Sequence, residues 1–455
     1  MFGQGPQVDW KAQRAETLAR FRALVQIDSS NPPGNETKVV DYLKGVFAEA
    51  EIPTEVYALD PTRANIVARI KGNGKKRPVL LLAHTDVVGV QREKWPVDPF
   101  AAVLQDGYVW GRGTNDDKDK LASNLMIMLL VKRSGVKLDR DLIFLAESGE
   151  EGTTGPGIDF MTDKHFDAID AEFALTEGGG VVIEGGKATA VRISTTEKLP
   201  RGARLVANGT SGHGSIPRQD NAVSHLAEAV AKVSAWTTPL SLNDTTRTYF
   251  ERLAAISAPD RAARYRAVLN PKHPASVEQY LAAHEQLHYS MLRTSVVPTI
   301  LKAGFRVNVI PSEAEATLDI RMTPGEDPDR FFTAMAKVIG DPSVKIVPTT
   351  DNRRPAGPPS GLNTDMFKAL ETVSKRMYPG AATLPVMMTG ATDMAQLRAR
   401  GMQCYGIGAE TTDEEFAQHG AHSDVERIGE STVYKLAEFT WNAVMEVSAP
   451  SEPRQ

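Results

Sequence analysis

The sequence predicts an α/β fold, and two observations carry that expectation. Short, continuous apolar runs such as Pro78-Val79-Leu80-Leu81-Leu82-Ala83 end in polar, titratable residues, here His84-Thr85-Asp86. Such a run reads as a buried strand that delivers side chains at the carboxyl edge of a sheet, where α/β proteins bind ligands. Between these runs lie segments with helical spacing of apolar residues, and strands mixed with helices imply a sheet covered by helices.

Taken in order, Trp10, Leu18, Phe21, Leu24, Val25 and Ile27 mark a first helix, which stops at the turn formers Ser29-Ser30-Asn31-Pro32-Pro33-Gly34. A second helix carries Val39, Val40, Leu43, Val46 and Phe47, and extended segments follow at 55–58 and 65–70. The strand ending at His84 comes next. If it continues, Asp86 points the same way as His84 and can orient its imidazole. Asp116 and Asp117 sit at the start of a helix over 121–132, where one aspartate can cap the helix while the second lacks that explanation. A buried strand over 141–146 runs into Glu147-Ser148-Gly149-Glu150-Glu151-Gly152. Adjacent carboxylates repel unless solvent or a cation relieves them, so one can bind metal while the other moves a proton. The run Phe173-Ala174-Leu175 leads to Glu177 and Gly178-Gly179-Gly180, which lack the companion residues of a phosphate loop and suit close backbone approach to a ligand. Near the C-terminus, His419 and His422 compete as a further ligand, and Cys404 reads as a core residue of a strand.

Composition narrows the chemistry. A chain of 455 residues is long enough for two or three domains. A net charge of −5 and a pI near 6.1 leave no broad basic footprint, which argues against a nucleic-acid partner. No apolar stretch approaches the length of a membrane span, and Met1–Pro6 lacks the regions of a signal peptide. The expectation is a soluble protein of the cytoplasm or periplasm that does not engage membranes. A single cysteine excludes an internal disulfide framework and a thiolate metal cluster, so a metal must be held mainly by His, Asp and Glu. One rival site, His284-Glu285-Gln286-Leu287-His288, matches H-E-x-x-H. It lies in a polar segment that reads as a solvated helix, with no downstream ligand motif, and is set aside.

His84, the Asp116-Asp117-Lys118 turn, Glu150-Glu151, Glu177 and the His422…Glu426 pair, in that order, resemble the M20 family of metallopeptidases and amidohydrolases. The variant of the motifs is most similar to the carboxypeptidase S and N-acyl-amino-acid hydrolase branch. The resemblance covers nearly the whole chain. It implies a mixed-sheet zinc-hydrolase catalytic domain over 1–199 and 350–455, interrupted by a smaller α+β lid or dimerisation domain over 200–349, and a homodimer. It implies two zinc ions, with cobalt or manganese as substitutes. His84 and Glu177 would hold one, Glu151 and His422 the other, and Asp116, two residues before the lysine, would bridge them. Asp86 would orient His84, and Glu150 would be the general base acting on a metal-bound water. His213 would stabilise the oxyanion, commonly in the partner subunit's site.

Asn308, Arg321 and the loop carrying Gly390 and Thr392 would bind a small-molecule or peptide substrate, with Arg321 suited to a carboxylate. The expected reaction is therefore cleavage of an amide next to a free carboxylate, in an N-acyl amino acid, a dipeptide or a C-terminal residue. The alternatives are an aminopeptidase-type enzyme with two zinc ions and a non-catalytic binding protein on the same fold. Asp119 and Ala391 depart from the family pattern, which commonly has glycine at both positions.

Overall fold

In a computed structural model of the chain, residues 6–270, 272, 274–349 and 354–450 are described. The start over 1–5 and the part of the Pro-rich crossing over 350–353 lie outside the described residues, as do the ends of the expected domain ranges that fall there.

Helices α1 (Trp10–Val25) and α2 (Thr37–Glu49) precede strands β1 (Thr54–Tyr57), β2 (Asn65–Ile70) and β3 (Val79–His84). Helix α3 (Lys118–Ser134) then leads to β4 (Leu142–Glu147), β5 (Phe173–Thr176), β6 (Gly180–Glu184) and β7 (Lys187–Glu197). A second set follows: β8 (Leu199–Pro200), β9 (Ala203–Asn208), α4 (Ala222–Ala235), α5 (Asp244–Ile256), α6 (Pro259–Val268), α7 (Ala275–His284) and α8 (Gln286–Met291). It continues with β10 (Ser295–Ala303), β11 (Glu313–Met322), α9 (Pro328–Ile339) and β12 (Val344–Pro348). Helix α10 (Asp365–Met377), β13 (Ala382–Met388), β14 (Gln403–Gly406), β15 (Glu410–Thr411) and α11 (Glu430–Ser448) complete the part of the chain needed here.

The main sheet runs β1-β2-β4-β3-β5-β14-β7-β6-β15, with β13 paired to β7. Its centre is parallel: β4, β3, β5 and β14 all run the same way. That explains why β3 is an unbroken apolar run. Val79, Leu81 and Ala83 enter a core built with α1, α2, α3, α10 and α11, while Leu80 and Leu82 enter a second core with Ile158, Met161 and Leu397 on the opposite face. A parallel strand covered on both faces has no solvent-facing positions to fill with polar residues. The shared direction also brings the carboxyl ends of β4, β3 and β5 to one edge.

A separate five-stranded sheet, β8-β11-β9-β12 with β10 paired to β11, lies between β7 and β13 in sequence. Strand β11 alternates buried and half-buried residues from Ala314 to Met322, and its inward face packs with Leu205, Leu226, Phe331 and Met335 beneath α4 and α9. The segment that reads as solvated helix in sequence behaves differently. Tyr249, Phe250, Tyr265, Leu281 and Met291 of α5–α8 form a core with Leu384, Val386 and Met387 of β13, so this helical cluster is packed onto the main sheet. Among the described residues, no helix is long and apolar enough to cross a membrane.

Candidate metal centre

Three neighbouring parallel strands bring the acidic and imidazole side chains together. His84 ends β3, Glu150 and Glu151 follow β4, and Glu177 follows β5. Asp116 arrives from the turn before α3, and His422 from the loop before α11. His84 Nε2 lies 2.9 Å from Asp116 Oδ1, and His422 Nε2 lies 3.3 Å from Asp116 Oδ2 and 2.9 Å from Glu151 Oε1. Two groups capable of holding an ion result, His84–Asp116–Glu177 and Asp116–Glu151–His422, with donor atoms within 4.8 Å of one another in each. Asp116 belongs to both.

Two buried carboxylates arrange the loops that present these residues. Asp86 Oδ1 accepts from the backbone N–H groups of Gly149 and Glu150, and Oδ2 accepts from Glu151 N–H and Asn31 Nδ2, at 2.8–3.1 Å. Its carboxylate therefore gathers the acidic loop. Orientation of His84 falls to the Asp86 backbone, whose carbonyl accepts from Nδ1 at 3.0 Å, while the nearest carboxylate oxygen stands 3.5 Å away. Glu426 does the same for the turn ahead of Asp116: it accepts from Arg112 Nη1 at 2.6 Å, Gly113 N–H at 3.1 Å and Asn115 N–H at 2.8 Å. These two anchors match a pattern of backbone amides closing on a buried anion.

The other acid of the turn, Asp117, occupies the N-cap position of α3 without making a side-chain cap, and its Oδ2 has no hydrogen-bond partner. His419 packs its ring against Trp110, 5.8 Å between centroids, with Nδ1 3.1 Å from the Val425 carbonyl, and so stands apart from both ligand groups. The H-E-x-x-H stretch is broken at Glu285, where φ −137° and ψ 58° separate α7 from α8. His288 bonds Glu285 and the Tyr249 hydroxyl, and no metal-holding group forms there among the described residues.

The local field stabilises positive charge. Asp116 and then Glu151 raise the His422 pKa to about 10. Burial opposes the charged form of His84, yet hydrogen bonds to Asp116 and Asp86 leave its pKa well above the ordinary value. The carboxyls respond in the opposite sense. Burial, with repulsion from Glu150 and Asp116, pushes Glu177 well up, and burial raises Glu151 and lifts Glu150 to about 8 against the pull of Arg354. Divalent cations would relieve this crowding. Nitrogen and oxygen donors without sulfur suit zinc, cobalt or manganese. The residues present thus fit a pair of divalent ions.

Arg354 has no motif to mark it in the sequence. Its Nη2 donates to Glu150 Oε1 at 2.6 Å, and its Nη1 pairs with Asp393. Behind Asp393 lies Glu147, which burial and then Asp393 hold well above the usual carboxylate range.

The expected substrate residues are dispersed. His213 is exposed on a short strand paired with Val309, its Nδ1 2.7 Å from Ser215 Oγ. Asn308 is exposed, with its backbone carbonyl accepting from Gly214 N–H. Arg321 is tied to Asp319 of its own strand at 2.8 Å. None of the three belongs to the ligand groups. Gly390 lines a cavity of about 340 Å³ that adjoins Asp116 and Glu177. Thr392 turns inward instead: its N–H and hydroxyl donate to Glu197, at 3.0 and 2.6 Å, and it is buried.

Comparison with known proteins places these observations. Residues 80–446 match the family model described as peptidase family M20/M25/M40. A probable carboxypeptidase S-like protein of Dictyostelium discoideum is 30% identical over 329 residues, covering 70% of this chain and 62% of that protein. The human N-fatty-acyl-amino acid synthase/hydrolase PM20D1 is 28% identical over 327 residues, covering 70% of this chain and 64% of its own length. The chain therefore spans somewhat under two thirds of both relatives. A probable succinyl-diaminopimelate desuccinylase of Staphylococcus aureus is 26% identical over 383 residues, 83% of this chain and 86% of that protein. Among solved structures, an M20 family metallo-carboxypeptidase from Sulfolobus solfataricus superposes with a TM-score of 0.71 at 18% identity, covering 95% of this chain and 99% of that one. A dinuclear metal-binding peptidase of the same family from Bacillus subtilis does so with a TM-score of 0.61 at 13% identity, covering 96% and 99%. The α/β fold is that of M20 metallopeptidases, and the chain belongs to the peptidase family M20/M25/M40.

Proposed function

We propose that the protein is a metal-dependent hydrolase that cleaves the amide bond of N-acyl amino acids, with a free carboxylate next to the scissile bond. The observation that carries the reading is Asp116 shared by two ligand groups, with Glu150 beside them and an apolar cavity adjoining. His84, Asp116 and Glu177 would hold one zinc ion, and Asp116, Glu151 and His422 a second. When bound, the pair supplies Lewis-acid polarisation of the carbonyl and of the attacking water. Glu150 takes the proton from that water and returns it to the leaving amine. The amide cradle on Asp86 and the guanidinium of Arg354 position Glu150 for both transfers. Tyr249, Leu287, Met291, Val386, Met387 and Ile407 wall the cavity beside Glu177, and this lining suits an apolar acyl group. Two of the similar proteins carry names that denote an acyl group joined to an amino acid or to diaminopimelate.

In this reading the segment over 200–349 is the lid and dimerisation unit, and the protein is a homodimer. His213, Asn308 and Arg321 then act at the partner's centre or on closure, His213 on the oxyanion and the other two on the carboxylate. Zinc-loaded protein should hydrolyse N-acyl amino acids and leave amides with a free N-terminal amine largely untouched, and a chelator should abolish the activity. The Glu150→Gln variant should keep its metal while losing roughly 10²–10⁴ in kcat, the usual worth of a general base. Near-normal turnover in that variant, or a preference for free-amine substrates, would overturn the proposal.

A further inference from the structure

The cavity beside Glu177 also holds charged groups that an apolar acyl group does not use, and one of them is an arginine. Arg192, on β7, lines it among Tyr249, Val386 and Met387. Its Nε is buried without a hydrogen-bond partner, and no side-chain hydrogen bond of Arg192 is found among the described residues. The ion pair with Asp413 spans 3.9 Å, beyond hydrogen-bond reach, and Asp413 is mostly solvent-exposed. About a third of the Arg192 side chain is exposed, so solvent and Asp413 serve its outer nitrogens, while the buried Nε lacks a partner that a bound anion can supply. Strand register fixes its place. Arg192 lies opposite Gly180, three residues beyond Glu177, so the backbones of Arg192 and Glu177 are at most roughly 16 Å apart, three residues along the chain and one step across the strand pair. That spacing is within reach of a medium-length acyl chain whose carbonyl sits at the metal centre.

We propose that Arg192 is a distal anion subsite that selects acyl groups with an apolar middle and a terminal carboxylate. This rests on the N-acyl amino acid reading above and names its acyl class. The planar fork of arginine can donate two parallel hydrogen bonds to such a carboxylate, which neither a methyl terminus nor water inside an apolar cavity can match. The carboxylate belongs either to a dicarboxylic acyl group or to the side chain of an N-acylated acidic residue on the acyl side of the scissile amide. The chemistry at Arg192 is the same for both.

The test compares kcat/KM of zinc-loaded protein for N-acyl amino acids in matched pairs, methyl-terminated and carboxyl-terminated, across a series of chain lengths, with N-acetyl-α-glutamyl and N-acetyl-α-aspartyl amino acids as the second source. At the best length, the carboxyl-terminated member should be favoured at least tenfold. Arg192→Met should bring that ratio close to one, and Arg192→Lys should keep part of it. A ratio at or below one at every length, or a ratio that survives Arg192→Met, overturns the subsite. A binding measurement keeps this separate from the activity reading. Calorimetry should show a straight-chain dicarboxylate binding zinc-loaded protein at least tenfold more tightly than the monocarboxylate of equal length, with the difference lost in Arg192→Met. Equal binding overturns the subsite even if N-acyl amino acids are hydrolysed. If none of them is hydrolysed, the reading of the substrate fails, while tighter dicarboxylate binding through Arg192 still stands.

Discussion

Arg354 bonds Glu150 at 2.6 Å and reaches Asp393 with its other amino group. Burial holds the Glu150 carboxyl near 8 even with this cation beside it, and Asp393 pushes in the same direction. Removing the cation leaves two buried carboxylates facing each other, so the Glu150 pKa must rise further. The base proposed here, Glu150, has to be deprotonated to act, and a higher pKa moves the acid limb of the rate profile to higher pH. Arg354→Met should therefore lower kcat by about 10- to 100-fold at neutral pH, shift the acid limb upward and change KM less than kcat, a pattern expected of a residue that positions the base. Arg354→Lys, which keeps the charge but loses the fork, should fall between. An unshifted acid limb would show that Arg354 only supports the fold. In the sequence this residue is invisible, because neither of two adjacent arginines, Arg353 and Arg354, in a Pro-rich crossing has a periodicity that singles it out. His84, Asp116, Glu150, Glu151, Glu177 and His422 were legible as a group because each follows a buried apolar run or stands in a turn of fixed spacing. Thr392 reads as a substrate residue only through the resemblance of its loop to the family's glycine-rich loop, and its burial against Glu197 is a long-range contact that local sequence does not encode.

At the scale of elements, the strand ends decide the site, and the loops after them must pack without slack. Gly157 shows how tightly. A Cβ there would meet the Ser148 carbonyl oxygen at 1.7 Å and Glu147 Oε2 at 2.1 Å. Both belong to the end of β4, directly before the amides that Asp86 collects. Gly157→Ala should cost about 3 kcal/mol or more, since backbone and not a flexible side chain blocks the added methyl. The denaturation midpoint should fall, and the residual folded protein should bind metal less tightly because the loop over 149–151 is displaced. An unchanged midpoint would mean that this turn relaxes freely. Central strands such as β3 and β4 could be read from the sequence, since burial on both faces leaves a continuous apolar signature. The cluster α5–α8 could not, because its apolar residues are diluted by charged ones and its core is completed by β13, more than ninety residues further on by the chain's own count from α8. The H-E-x-x-H pattern failed for a related reason: it needs one continuous helix, and the break at Glu285 divides it.

At the scale of the molecule, the ligand groups and the expected oxyanion residue sit in different places. His213 and Asn308 are exposed, and neither lines the cavity beside Glu177. Strand β10 forms an edge of the second sheet, and Val297, Ile300 and Leu301 on it are exposed, as are Phe305 and Val307 in the loop that follows. An unpaired edge carrying apolar side chains is a surface on which a second copy can pair. A homodimer built there makes a prediction that a self-sufficient subunit does not. Glu150→Gln removes the proposed base from its own centre, whereas His213→Ala removes a donor that, in the proposed dimer, serves the partner. Each variant alone should be nearly inactive. Co-expressed in equal amounts with random pairing, half of the dimers are mixed, and each mixed dimer holds one centre with both residues intact. Activity should return to about a quarter of the wild-type value per chain, as two-fold symmetry requires. Light scattering on the same samples should give the mass of two chains. If the mixture stays as inactive as its parts while remaining dimeric, His213 serves its own subunit's centre, and the sharing of sites between chains is excluded.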